Sequence, residues 1–207
     1  LQAEGVGILD IRSVYDIDGV DTAPGGIMAL ADPRRTTAAQ RPARFLRIEK
    51  AVSLPDDDVR DFDNSAFGVT ARFGMRELLG YAPVEPDGSV RVKVPADVPF
   101  AITVLDANGR RISPRHENWL QVRAGEELRC NGCHDPSSGQ SHGRDKLFAP
   151  VHAGATSTGQ PYPNTRPALF ADFGETMAQV RARISCQTDC AARSEEHTSE
   201  LQSLAYL

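Results

Sequence analysis

The feature that most constrains this chain is the run Cys130-Asn131-Gly132-Cys133-His134. Its CxxCH spacing is the attachment signature of c-type haem. Two cysteines three residues apart can each form a thioether with one vinyl group on the same porphyrin edge, and the adjacent histidine can then bind the iron. Any fold must therefore leave this run accessible to a large planar group. The motif predicts a covalent haem c on Cys130 and Cys133, with His134 as an iron ligand.

Zinc is the main alternative to haem at this motif. A CxxC pair supplies half of a tetrahedral zinc site. The other two ligands would come from one of two pairs, Cys186 with Cys190 or His142 with His152. Zinc does not need a histidine directly after the second cysteine, which favours haem. A disulfide between Cys130 and Cys133 is a third alternative, although so short a ring is strained. Cys186 and Cys190 are compatible with a disulfide, with two thiols or with a site completed by sequence beyond this chain.

Alternating apolar and polar residues predict a mainly β (α+β) fold. Strands are expected over four stretches, residues 9–15, 46–52, 90–94 and 100–105. Asn108-Gly109 is a turn signal that directs the chain back toward Ile112. The last two strands and this turn predict a short antiparallel meander. We therefore expect a small antiparallel β-sandwich-like domain over residues 1–129.

A haem-binding loop and one short helix are predicted over residues 130–192. The stretch from Asp135 to Asn164 is rich in Gly, Ser, Pro and His and offers little apolar surface for a core. Asp172 and Glu175 have the spacing of a helix capping box. Four apolar residues then fall on one helical stripe, Phe173, Met177, Val180 and Ile184. Because packing explains its spacing, Met177 is interpreted as a core residue rather than a metal ligand.

The two ends of the chain indicate a fragment with a foreign tail. It begins at Leu1 without a recognisable secretory leader, so we expect a piece of a longer gene product. Residues 193 to 203 read RSEEHTSELQS, which resembles the translation of a sequencing-library adapter. We therefore predict that residues 193–207 are a non-native tail without a functional role.

Composition argues against two classes of partner. The chain has 23 Lys and Arg against 28 Asp and Glu, a formal net charge of −5, and so lacks the basic surface that nucleic acids require. No stretch reaches the roughly 18 consecutive apolar residues of a membrane-spanning helix. We expect no nucleic-acid partner and no membrane span.

The sequence around the motif resembles a known family. The run GSVRVKVPADVPFAITVLDANGRRI at 88–112, followed by Asn118-Trp119-Leu120, Val122-Arg123-Ala124-Gly125-Glu126 and the CxxCH motif, is similar to proteins related to the hydrazine synthase alpha subunit. The resemblance covers about residues 75 to 145. It implies a small β-domain that presents a c-type haem beside a β-propeller, with Cys130 and Cys133 as thioether sites and His134 as the motif histidine. Neither propeller blades nor a second CxxCH are recognisable here, so hydrazine synthesis itself is not implied.

Outside the motif, the candidates for the second axial ligand of the iron are His116, His142, His152 and the three methionines. His142 lies on a loop eight residues beyond His134, and an extended loop of that length spans up to about 26 Å. It is preferred as the second metal ligand, ahead of an open sixth position. A predicted hairpin of Trp119–Val122 with Glu127–Cys130 would place His116 opposite Cys133, where it would pack beside the haem.

These features lead to one functional expectation and one alternative. Because c-type haem is attached on the far side of the cytoplasmic membrane, we expect a periplasmic or exported protein. It would transfer electrons within a larger oxidoreductase, to a redox partner or to adjoining domains of the full-length chain. Whether this part of the protein is itself catalytic is left open. The alternative is a zinc- or disulfide-stabilised β-module for adhesion or assembly, without redox activity.

Overall fold

The computed structural model describes residues 1–63, 74–114, 116–135, 137, 151–152, 154 and 169–185. Short strands and turns dominate this part of the chain. The strands are β1 (Val6–Ile11), β2 (Asp16–Ile17), β3 (Val20–Asp21), β4 (Phe45–Val52), β5 (Met75–Pro83), β6 (Val90–Pro95), β7 (Phe100–Leu105) and β8 (Glu127–Cys130). The helices are α1 (Ile27–Ala31), a 3₁₀ turn at Ala38–Gln40, and α2 (Met177–Ser185). Within the described ranges, no helix is long and apolar enough to cross a membrane.

Two three-stranded sheets form the body of the domain. In the first sheet, the order is β6-β1-β8; Ile11 pairs with Val90 on one side and with Cys130, in a parallel ladder, on the other. In the second sheet, the order is β5-β4-β7, and both pairings are antiparallel. The two central strands, β1 and β4, therefore come earlier in the chain than the strands that flank them.

The core lies between these two sheets. Leu9 and Ile11 of β1 belong to the same buried cluster as Leu46 and Ile48 of β4 and Phe100 of β7. Apolar faces of two sheets sharing one core are what a layered β-domain requires. The prediction of a mainly β fold with a short C-terminal helix is confirmed.

The predicted meander is wrong, although its individual strands are correct. β6 and β7 lie in different sheets, because each pairs with a central strand from earlier in the chain. Asp97, which has a φ of 58°, lies in the short connection between them, and its N–H donates to the carbonyl of Val122. The turn after β7 is as predicted: the N–H of Asp106 donates to the carbonyl of Arg110, and Ile112 returns beside Val104.

The C-terminal helix begins later than its sequence signal indicates. Thr176 and Gln179 form the reciprocal cap: Thr176 Oγ1 accepts from the N–H of Gln179, and Gln179 Oε1 accepts from the N–H of Thr176. Met177 and Val180 are buried in a small cluster of their own, so Met177 is a core residue as predicted. Phe173, which lies before this cap, is fully exposed, and its place on the buried stripe was wrong.

Candidate haem attachment site

The CxxCH motif begins at the end of β8. It lies beside the end of β1 and beside the β2–β3 hairpin that follows β1. The N–H groups of Arg12 and Ser13 donate to the carbonyls of Cys130 (2.8 Å) and Asn131 (3.1 Å). Beyond them, Cys133 donates its N–H to the carbonyl of Asp16 at 2.8 Å, and its own carbonyl accepts from the N–H of Asp18 at 3.2 Å. Main-chain bonds on both sides thus fix the conformation of the motif.

Gly132 is required by this close packing. A Cβ atom at position 132 would lie 2.1 Å from the carbonyl oxygen of Asp16 and 2.7 Å from that of Ser13. Both neighbours are backbone atoms, which cannot move aside as a flexible side chain would. The second variable residue of the motif therefore has a structural reason to be glycine.

The three chemically active side chains of the motif are all partly accessible. Cys130 and Cys133 are half-buried thiols at the edge of the main core, and His134 is half-buried beside them. The next residue, Asp135, donates its N–H to Asp18 Oδ2 at 2.8 Å. Hydrogen bonds from Ser137 lower the pKa of the Asp135 carboxyl. Two fixed, accessible thiols and an adjacent histidine are the set that covalent haem attachment requires.

His116 lies far from this motif along the sheets. Its carbonyl accepts from Arg76 at 3.4 Å, near the start of β5. β5 ends at Pro83, at the opposite end of the strand from Arg76. Residues 84–89 then lead to Val90, which pairs with Ile11, and Ile11 pairs with Cys130 on its other side. The predicted hairpin register is wrong, because Leu120 pairs with Phe100 and β8 pairs with β1. The pairing that would place His116 opposite Cys133 is therefore not formed.

The remaining predicted ligands lie outside the described residues. These are His142, Cys186 and Cys190. Within the residues that are described, no group of three or more His, Cys, Asp and Glu side chains could hold a metal ion. A second haem ligand at His142, and a zinc site built from these residues, both stay predictions.

Sequence reasoning missed a buried polar cluster behind the motif, centred on Asp87. One carboxylate oxygen of Asp87 accepts from the N–H and the hydroxyl of Ser89, at 2.9 and 2.6 Å. The other accepts from the N–H of Met177 at 2.9 Å and lies 3.3 Å from Nε2 of His152. Asp87 and Ser89 are fully buried and His152 is 1% exposed. No local sequence pattern indicates this cluster, because its members lie far apart along the chain.

Two further contacts join this cluster to the motif. The hydroxyl of Ser13 donates to the carbonyl of Asp87 at 2.7 Å, and the carbonyl of Ser13 packs against Gly132. Asp16, whose carbonyl accepts from Cys133, also accepts the N–H of Val151 on its side-chain Oδ2 at 3.2 Å. The residue after Val151 is His152. The cysteine loop and the buried polar cluster therefore share Ser13 and Asp16 as neighbours.

A buried carboxylate, paired with a partly exposed arginine, lies on the other side of the same turn. Arg181 of α2 donates to Glu85 at 3.0 Å, and the Glu85 side chain is 8% exposed. Burial raises the pKa of Glu85 to about 7, although Arg181 opposes this shift. Residues 85–89 thus contact helix α2 in three ways. The Asp87 carboxylate accepts from the N–H of Met177, the Ser89 hydroxyl accepts from the N–H of Ala178, and Glu85 pairs with Arg181.

The central part of the chain is similar in sequence to known proteins. Residues 43–135 match the family model of the hydrazine synthase alpha subunit middle domain. The hydrazine synthase subunit alpha of Kuenenia stuttgartiensis is 32% identical to this chain over 83 residues. Residues 43–135 are thus similar in sequence to the middle domain of hydrazine synthase alpha subunits. The matched residues contain β4 to β8 and the whole CxxCH motif.

The chain covers a small part of these relatives. The 83 aligned residues are 40% of this chain and 10% of the Kuenenia stuttgartiensis subunit. A solved structure of Kuenenia stuttgartiensis hydrazine synthase aligns with a TM-score of 0.44 and 20% identity, over 67% of this chain and 19% of that one. The chain is thus aligned with only a small fraction of the length of these proteins.

Proposed function

We propose that this domain carries one covalent haem c and transfers electrons within a larger oxidoreductase. The observation that carries the proposal is the placement of Cys130, Cys133 and His134 on a fixed and partly accessible loop. The similarity of residues 43–135 to the hydrazine synthase alpha subunit middle domain supports it independently. Haem supplies one-electron redox chemistry when bound.

Each residue of the motif has a defined role in this proposal. The thiols of Cys130 and Cys133 would each add across one vinyl double bond of the haem, so that the S–H bond breaks, a C–S bond forms and the hydrogen goes to the other vinyl carbon. This addition needs no oxidant and has no leaving group. His134 would bind the iron, and His142 is the predicted second ligand. The main-chain bonds from Arg12 and to Asp16 hold the backbone that carries the two thiols.

The surroundings of the domain are part of the same proposal. Thioether attachment requires export, so the natural protein would be periplasmic or otherwise exported. Because the chain spans 10% of the length of its relative, electrons would pass to adjoining domains of the full-length protein or to a separate redox partner.

The test is to produce the chain with the c-type maturation machinery and to ask whether haem is covalently bound. We expect a Soret band, and haem that stays with the protein through acid–organic extraction and denaturing electrophoresis. Changing Cys130→Ala together with Cys133→Ala should abolish this retained haem. The matched control is Cys186→Ala with Cys190→Ala, which removes the same number of thiols and should leave haem content unchanged. Stoichiometric zinc without a Soret band in matured protein would contradict the proposal and favour the zinc alternative.

A further inference from the structure

The β2–β3 hairpin lies directly beside the CxxCH loop. Ile17 of β2 pairs with Val20 of β3 on one side and forms a parallel bridge with Cys133 on the other. Because neighbouring strands are about 4.8 Å apart, the backbone of Val20 lies about 10 Å from that of Cys133. The N–H of Asp135 donates to Asp18 Oδ2 at 2.8 Å, which joins the hairpin to the end of the motif. A protein that docks on this hairpin would therefore come close to a haem on the motif.

Two apolar side chains are exposed on this side of the domain. Val20 is 61% exposed, and Met28 of helix α1 is 52% exposed. Asp21 connects the hairpin to α1, because its Oδ2 accepts from the N–H of Ile27 at 2.8 Å. Val20 and Met28 are thus each one residue from this hydrogen bond. Electron-transfer proteins form small and transient interfaces, so a small exposed apolar area is suited to such a contact.

Negative charge is concentrated around these apolar side chains. Residues 13–33 contain four Asp and no Lys or Arg, and residues 130–143 contain one Asp and no Lys or Arg. The whole chain is closer to balance, with 23 basic and 28 acidic residues. Asp21 and Asp135 are exposed, and Asp18 is half-buried. These three carboxylates, with Val20 and Met28, are named the acidic hairpin face.

We propose that the acidic hairpin face is the docking surface for a basic redox protein whose exposed cofactor edge is surrounded by lysines. This inference rests on the proposed function, since it names the partner that exchanges electrons with a haem at the motif. One electron passes between the two cofactors, and no bond is made or broken. Complementary charge raises the association rate of such partners, and salt weakens the effect. A second copy of this chain is disfavoured, because a symmetric contact would bring two acidic faces together.

Cross-linking identifies the docking surface directly. The matured chain is mixed with a lysine-rich probe, mitochondrial cytochrome c, and a carbodiimide joins carboxylates to the lysines that contact them. We expect mass spectrometry to find cross-links at Asp18, Asp21 or Asp135, and high salt to suppress them. Absence of cross-links from all three residues would overturn the proposal.

Electron transfer between the chain and the same probe gives a second measurement. Asp18→Asn with Asp135→Asn removes two charges but keeps a side-chain oxygen at each position to accept the N–H groups of Asp135 and Ser137. We expect this variant to lower the second-order rate constant at low salt by about tenfold. The matched control, Asp57→Asn with Asp58→Asn, removes two charges from exposed positions and should change the rate by less than about twofold. Equal losses in both variants would show that net charge alone attracts the probe, and would overturn the proposal.

The apolar part of the face is tested at about 1 M salt, where exposed charges are screened. Val20→Ser should lower the rate constant there, whereas Val59→Ser, at a position that is 78% exposed, should not. Equal rates in these two variants would contradict docking at the hairpin. Covalent haem and its reduction potential are measured in every sample. A matured chain without covalent haem refutes the proposed function, whereas attached haem with cross-links and rates that do not depend on these residues refutes only the acidic hairpin face.

Discussion

The two sheets share one apolar core, whereas helix α2 is joined to that core largely by buried polar groups. Among the described residues, seventeen buried apolar side chains form the main cluster, but only three form the cluster under α2. The helix compensates with bonds from its first N–H groups to Asp87 and Ser89 and with the Arg181–Glu85 pair. Apolar packing tolerates changes that conserve volume, but a buried polar cluster is destabilised as soon as one partner is lost. The two regions should therefore respond differently to substitution and to pH.

The largest effect is expected from the apolar core. Phe100 is fully buried between the sheets, and replacing it by alanine removes a large side chain and leaves a cavity. We expect Phe100→Ala to lower the free energy of unfolding of the whole domain by about 3–5 kcal/mol. Urea denaturation followed by far-ultraviolet circular dichroism measures this change. A loss below about 1 kcal/mol would show that the sheets do not depend on a common core.

A smaller and more local effect is expected from the polar cluster. Asp87→Ala leaves the buried N–H of Met177 and the buried Ser89 without their acceptor. We expect a cost of about 3 kcal/mol and faster proteolysis near α2 while the sheets stay intact. The control is Asp57→Ala, at an exposed position. If cleavage in Asp87→Ala begins within the sheets instead, the two regions unfold together and the contrast between them fails.

The buried Glu85 gives the attachment of α2 a pH dependence. Its pKa is raised from the usual 4.5 to about 7 by burial, so the folded protein binds this proton more tightly than the unfolded chain does. The raised pKa adds up to about 3 kcal/mol to the free energy of unfolding. This stabilisation is fully present below pH 4.5 and is lost as the pH rises toward 7. Glu85→Gln should therefore flatten the fall in melting temperature between pH 5 and pH 8. Parallel pH profiles for the parent and Glu85→Gln would count against the assignment.

The smallest effect distinguishes two candidate starts of helix α2. Thr176 forms the observed cap, whereas the sequence favoured Asp172, whose side chain is 84% exposed. Thr176→Ala should cost about 1 kcal/mol, and Asp172→Ala less than about 0.5 kcal/mol. Thermal unfolding of the two single variants compares them directly. A larger loss of stability from Asp172→Ala than from Thr176→Ala would indicate that helix α2 begins at the earlier position predicted from the sequence.

The sequence predicted local structure better than strand partners. Strands β4, β6 and β7 were found because their apolar residues alternate or form one short run. Strand β5 was missed because a bulge interrupts its phase: Ile48 pairs with Gly80 and Glu49 with Leu78, which leaves Leu79 between them. The predicted pairing of β6 with β7 was wrong because β1 and β4 occupy the centres of the sheets. No local sequence pattern indicates which distant strand a segment will pair with.

The candidate site was likewise predicted only where a local sequence pattern exists. Cys130, Cys133 and His134 were found because attachment chemistry fixes their spacing in the chain, and their role as haem ligands stays a proposal. Asp87 and His152 were not recognised as a pair, since 65 positions separate them and only the folded chain brings them together. Asp16 was not recognised either, because its contacts with Cys133 and Val151 depend on tertiary structure.

The parallel pairing of β8 with β1 also has a consequence for the order of events during folding. This ladder joins the first strand of the domain to its last and ends at Cys130, so it closes a very long loop. Pairings between such distant segments are slow, because the entropy of loop closure is lost before the contacts stabilise the product. We expect the two thiols to stay on a pliable segment until this late docking. An attachment enzyme that acts soon after export would then meet the cysteines as an extended peptide, before β1 fixes them in place.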